Sequence, residues 1–147
     1  VKEYKKYDEH FRRKCKKDCP DKCPETQRHN HEFLGSTMIA APENQVALLH
    51  NHRFAGITGP ARGPVRTHVH VVCTNTDFFF NHFHRIETIT GPPIQVTDKD
   101  GEVIGHTHAI NGTTTVSFRH THDFKANMLI QNPINGPLMV SEKEEWD

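Results

Sequence analysis

Bulk properties exclude several classes at once. The 18 Lys/Arg balance 18 Asp/Glu, so with histidine neutral no net field attracts or repels nucleic acid. No apolar run approaches the ~20 residues that a membrane-spanning helix needs. No signal peptide is visible, and a chain that begins at Val1 leaves secretion open. Helical periodicity is confined to the start, where Tyr4, Tyr7, Phe11 and Cys15 suggest a short helix within 1–18. The run Cys15-x3-Cys19-Pro-x2-Cys23-Pro lacks both Cys-x2-Cys spacing and the second half of a zinc knuckle. Pro20 and Pro24 also keep it from forming one continuous helix.

Histidine is what the chain has in quantity, and it is placed with regularity. Twelve of thirteen fall in six His-x-His pairs: His29/His31, His50/His52, His68/His70, His82/His84, His106/His108 and His120/His122. Only His10 stands alone. Residues two apart on a strand share a face, so each pair aims two imidazoles the same way. Neutral imidazole is the commonest protein ligand for zinc, copper, nickel and iron.

The pairs belong to a threefold repeat. His29-Asn-His-Glu-Phe-Leu-Gly-Ser-Thr37, His68-Val-His-Val-Val-Cys-Thr-Asn-Thr76 and His106-Thr-His-Ala-Ile-Asn-Gly-Thr-Thr114 each carry a threonine six residues after the second histidine. Each runs into a second pair within Leu48–Phe54, Phe80–Ile86 and Phe118–Phe124. The first two units close alike, as Ile57-Thr-Gly-Pro60 and Ile89-Thr-Gly-Pro92, while the third diverges at Met128-Leu-Ile130. Val, Ile, Thr and Phe dominate, with Gly-Pro turns between them, so the body reads as all-β. Three hairpins would form a small barrel or sandwich, with a β-trefoil-like arrangement also open.

Turns centred near Thr76 and Thr114, the latter opened by Asn111-Gly112, would set His70 opposite His82 and His108 opposite His120. Each hairpin would then hold four imidazoles. Asp98-Lys-Asp-Gly101 reads as a further hairpin turn. Beyond each second histidine stand Phe33, Phe54, Val72, Ile86, Ile110 and Phe124, all apolar, whereas Glu32, Arg53, Arg85 and Asp123 occupy the other face. The histidine face is therefore the inner one. Unpartnered, each buried polar group costs roughly 1–3 kcal/mol. Twelve would overwhelm a net stability of ~5–15 kcal/mol, so a compensating ion is expected.

Three sites per chain, one per hairpin, is the simplest count, with ligands shared between hairpins or subunits as the alternative. Four imidazoles suit copper if flattened and zinc if tetrahedral, and divalent affinity peaks at copper, which is the expected ion with zinc the alternative. No carboxylate stands consistently beside the pairs, so neither a two-His-one-carboxylate iron site nor a general base is indicated. A small multicopper-type redox enzyme is the rival, but no His-Cys-His segment joins two copper sites. A metallohydrolase would need an open coordination position. The leading expectation is non-enzymatic, the ion serving structure, storage or electron transfer. Histidines charging in acid would also repel one another, which makes a pH switch a third reading.

Around this body, residues 1–28 form a charged, Cys-rich arm with ten Lys/Arg and six Asp/Glu, 29–140 the three-repeat domain, and 141–147 an acidic tail. Cys15, Cys19, Cys23 and Cys73 are candidates for disulfides between chains in an oxidising setting. Basic head and acidic tail favour contact between copies, hence a homo-oligomer or filament, on the outside of the cell or spore, with a cytoplasmic place the alternative. Asn111-Gly-Thr113 matches a glycosylation sequon that its turn role accounts for. Met38, Met128 and Met139 read as core residues, and Trp146 as a docking anchor or an exposed ring.

The His-x-His-x-Phe-x-Gly-Ser-Thr, His-Asn-His-Arg-Phe-Ala-Gly-Ile-Thr-Gly, Asp77-Phe-Phe-Phe-Asn-His-Phe-His and His-Thr-His-x-Ile-x-Gly-Thr-Thr motifs resemble the YmaF-like family of small bacterial proteins, over about residues 29–124. That resemblance implies the repeat and a bacterial origin, and brings no assigned activity with it. The thiol-bearing arm before a compact β-domain is similar in arrangement to bacterial spore appendage subunits, in which arms link neighbours.

Overall fold

A computed structural model describes residues 29–131. Their strands, β1 (Glu32–Ser36), β2 (Arg53–Ile57), β3 (Val71–Asn75), β4 (Arg85–Ile89), β5 (Ile94–Thr97), β6 (Val103–Thr107), β7 (Ala109–Thr113) and β8 (Asp123–Asn127), pair in sequence as four antiparallel hairpins. A single 3-10 turn, Val46–Leu48, interrupts the long connection between β1 and β2. The fold is all-β as expected, with no closed barrel among the described residues. The predicted arm, acidic tail, Cys15, Cys19, Cys23, His10, Met139 and Trp146 lie outside the described residues, as do residues 132–140 of the predicted domain.

Three hairpins close into a triangle, with β2 beside β3, β4 beside β7 and β8 beside β1. Backbone bonds stitch each corner at both ends. Gly59, Gly91 and Leu129 donate N–H to the carbonyls of Val71, Ala109 and Glu32. At the opposite end Asp77, Thr115 and Met38 donate to Arg53, Arg85 and Asp123. The β5–β6 hairpin leads from the second unit into the third, and β6 carries His106. Its turn is the predicted one: Gly101 takes a left-handed φ of 82°, and Asp98 Oδ1 accepts the N–H groups of Asp100 and Glu102.

The register differs from the sequence expectation. Val71 pairs with Ile89 and Ala109 with Asn127, so the second and third hairpins turn about four residues later than predicted. The actual tight turns are Phe80-Asn81 and Phe118-Arg119, whose residues all have positive φ, from 48° to 59°. Asn111-Gly112 lies inside β7 instead. Its glycine is needed for close approach rather than for a turn: a Cβ there would stand 3.0 Å from Phe124 Cζ.

The core is one layer deep. Phe33, Phe54, Val72, Ile86, Ile110 and Phe124, one from each strand of the triangle, meet on its axis together with Met128. Wherever the layer carries phenylalanine, glycine stands across the strand pair: Phe33 faces Gly56, Phe54 faces Gly35 and Phe124 faces Gly112. Ile86 faces Thr74 and Ile110 faces Ala126, so ring and partner share a fixed volume. A methyl group at Gly56 would lie 2.8 Å from Phe33 Cζ. Gly56→Ala is therefore expected to destabilise by about 1–3 kcal/mol in urea unfolding, and Phe33→Leu in the same chain to recover part of the loss. Full burial of such side chains is worth roughly 1.5–3 kcal/mol each, so this single layer is a thin source of stability for the fold.

Candidate metal centres

Imidazoles fill the interior on both sides of that layer. Apart from half-buried His29, the paired histidines expose no more than 8 % of their surface. The inner-face reading therefore holds for all six pairs. Phe80, Ile104 and Phe118, each two before the first histidine of a pair, do not continue it: they are 41–45 % exposed, because the chain leaves the axis there.

The pairs assemble across the three units rather than within each hairpin. The first pairs of the three units, His29/His31, His68/His70 and His106/His108, converge at one end of the triangle as cage I. The second pairs, His50/His52, His82/His84 and His120/His122, converge at the other as cage II. Within each cage the potential ligand atoms all lie within 4.8 Å of one another. Three four-imidazole sites are thus replaced by two six-imidazole sites. The cause is the register. His70 falls opposite Thr90 and His84 opposite Thr76, so the two pairs of one unit stand at opposite ends of its hairpin. Six residues of extended chain, about 20 Å, separate the ends.

Each cage has the outline of an octahedron. Every ring stands steeply tilted to four others, with centroids 4.5–5.2 Å apart in cage I and 4.7–5.0 Å in cage II. That leaves His29 opposite His108, His31 opposite His68 and His70 opposite His106. In cage II His50 stands opposite His84, His52 opposite His120 and His82 opposite His122. Eleven neighbouring Nε2 pairs, five in cage I and six in cage II, are 2.9–3.3 Å apart. The first histidines of the pairs form an outer triangular face and the second histidines an inner one against the core.

Hydrogen bonds fix which nitrogen faces inward. Nδ1 of His31, His70 and His108 lies 2.8–2.9 Å from the carbonyls of Leu129, Gly59 and Gly91, each in the neighbouring unit. In cage II the carbonyls of Asp77, Thr115 and Met38 take the same part for His52, His84 and His122 at 2.8–3.1 Å. His50, His68, His82 and His120 use local carbonyls, those of Leu48, Val65, Phe80 and Phe118. A carbonyl can only accept, so Nδ1 carries the proton in these ten rings and Nε2 presents a bare lone pair. The Nε2 contacts among these ten rings are therefore lone pair against lone pair, with no donor between them. Nε2 of His70 has no hydrogen-bond partner at all.

Protonation does not relieve this. Burial, with the neighbouring imidazoles adding to it, pushes His70 and His106 down to about 2, His84 to about 3, and His108 and His122 to about 4. Burial also lowers His31, His52 and His120. At neutral pH these eight rings are therefore uncharged. A cation at each cage centre is what their chemistry lacks.

Threonines hold the second histidines in place. Thr58, Thr37, Thr90, Thr76 and Thr114 are buried and accept the backbone N–H of His31, His52, His70, His84 and His122. Thr58, Thr76, Thr90 and Thr114 donate their hydroxyl to the next carbonyl, the one that anchors the neighbour's imidazole wherever the anchor follows the threonine. Sequence reasoning found three of these threonines through the repeat. Thr58 and Thr90 escaped it, although the shared Ile-Thr-Gly-Pro ending was their signal. Met128 takes the sixth position, in the core as expected; Met38 is exposed and enters the site through its carbonyl. Cys73 lies half-buried on β3 opposite Glu87, away from both cages.

One carboxylate reaches the second cage. Asp77 Oδ1 stands 3.2 Å from His52 Nδ1 and accepts the N–H of Arg53 at 3.0 Å. A carboxylate behind a ligating imidazole raises its basicity, and loss of such support typically weakens metal binding 10–100-fold. Asp77→Asn keeps an oxygen for Arg53 and removes the charge. Metal titration followed by calorimetry should show one of two sites weakened, and equal weakening of both would contradict this assignment.

A family model described as YmaF, spore germination protein GerY/YamF, matches residues 26–130. The chain belongs to this family. No curated protein and no solved structure matches it. Both cages fall inside the matched span, so the histidine repeat is what this YmaF-family chain devotes its folded body to.

Proposed function

We propose that this YmaF-family protein is a non-enzymatic metal-binding β-module that holds one first-row divalent ion in each cage through His29, His31, His68, His70, His106 and His108, and through His50, His52, His82, His84, His120 and His122. The observation that carries this is the convergence of six imidazoles in each cage, ten of the twelve with the ring proton turned outward to a carbonyl. The ions would tie the three hairpins together across a thin core, so the first role is structural, with storage or electron transfer as further uses. Affinity order alone puts copper first among the candidate ions, with zinc as the alternative. The family description supports a place in spore germination, and with it a location in or on the spore.

The same reading includes self-assembly. Leu34, Ile57 and Ile89 are 50–68 % exposed on the outward faces of the strands, which supports contact between copies. Cys15, Cys19 and Cys23 would link arms in an oxidising setting. Size-exclusion chromatography with and without reductant tests this part, and a monomer in both would end it.

Elemental analysis of the purified full chain is the decisive experiment. Two ions per chain are expected, falling to one when His70 or His84 is changed to alanine. A chain that takes up no transition metal under any condition would overturn the proposal. Spores that carry the His70→Ala/His84→Ala chain should germinate abnormally if the ions serve germination.

A further inference from the structure

Resting on the metal reading, we propose that the cages are selective for ions that prefer six-fold, regular coordination, the iron(II)–cobalt(II)–nickel(II) group, over copper(II) and zinc(II). The inference comes from the shape and size of the cages, not from affinity order. The close Nε2–Nε2 edges of 2.9–3.3 Å correspond, for a regular octahedron, to a centre about 2.1–2.3 Å from each nitrogen, the edge divided by √2, and the 4.8 Å bound on all separations agrees with it. Six equal ligands at this distance fit a divalent ion of that group. Zinc in protein sites is almost always four-coordinate with Zn–N of about 2.0–2.1 Å, and copper(II) favours a flattened, tetragonal set.

The cage resists deformation to either alternative. To become tetrahedral it must expel two imidazoles, yet all six rings of cage II and four of the six in cage I are tied through Nδ1 to a carbonyl, the inner three of each cage to a neighbouring unit. To become tetragonal it must lengthen one opposed pair, such as His31 and His68. Each opposed pair joins an inner ring of one unit to an outer ring of another, so lengthening it strains one corner of a threefold clasp and not the others. Selectivity then comes from the stiffness of the protein. The same saturation leaves no position for water or substrate on the ion, which sets this site apart from a hydrolytic or oxygen-activating one.

The test uses the full chain stripped with chelator and titrated with cobalt(II) chloride. Two cobalt ions per chain, weak visible d–d bands and about six nitrogen neighbours near 2.2 Å in X-ray absorption are expected. In competition at equal concentration, nickel(II) should remain bound in at least ten-fold excess over zinc(II). Uptake of cobalt with the intense bands of four-coordination, or displacement of nickel by zinc, would overturn the selectivity while leaving metal binding intact. Failure to take up cobalt, nickel, iron, copper or zinc would overturn both.

Discussion

Adding nickel(II) to the stripped protein should raise its unfolding midpoint by roughly 30 °C, and strong chelator should bring it back. An ion held only by the folded state contributes about 4 kcal/mol when its concentration is a thousand times Kd, and two cages double this. For a body of this size each kcal/mol corresponds to roughly 4–8 °C. The effect is large because the apoprotein starts from a poor position. Its apolar layer is a single ring of six side chains plus Met128, and the space on either side is filled by imidazoles whose lone pairs face each other. Differential scanning fluorimetry at neutral pH checks this. A melting curve indifferent to both ion and chelator would show that the cages hold the hairpins together without a cation.

The second large effect is acid. In the unfolded chain each histidine titrates near 6.5, whereas in the folded protein His108 and His122 are held at about 4, His84 at about 3, and His70 and His106 at about 2. Between roughly pH 6.5 and 4 the unfolded state therefore binds more protons than the folded state, and stability falls as pH falls. Above about 6.5 both states are neutral at these positions and the dependence vanishes. Each such histidine contributes about 1.4 kcal/mol per pH unit inside the window. A few acting together match the ~5–15 kcal/mol that holds a typical domain. The apoprotein should accordingly unfold between about pH 6 and 5, with bound metal moving the transition lower. Urea unfolding at pH 7, 6 and 5, followed by circular dichroism, gives the slope. Equal stability at all three would mean that the rings gain protons without leaving the fold.

Which side chains point inward was readable from alternation alone, since every second histidine and the apolar residue two beyond it share a face. How the pairs group was not. Grouping depends on register, and the sequence cues for the turns misled: Asn111-Gly112 has the look of a hairpin tip but serves the ring of Phe124, while the real tips, Phe80-Asn81 and Phe118-Arg119, adopt left-handed backbone without a glycine. Their strain sits beside cage II, where the carbonyls of Phe80 and Phe118 anchor His82 and His120. A shift of four residues in each turn converts three sites of four ligands into two of six. The ring of carbonyls could not be seen from sequence either, because main-chain acceptors leave no mark on residue identity. Only the threonine that supports them does.

Because each unit lends one cis pair to either end, nothing in the design demands that the units be covalently joined. A single stretch of about forty residues carries a complete share, and three separate copies could gather around the same two ions as a homotrimer. The third unit departs from the other two in closing on Met128 where they close on Thr58 and Thr90, and in being entered through the β5–β6 hairpin.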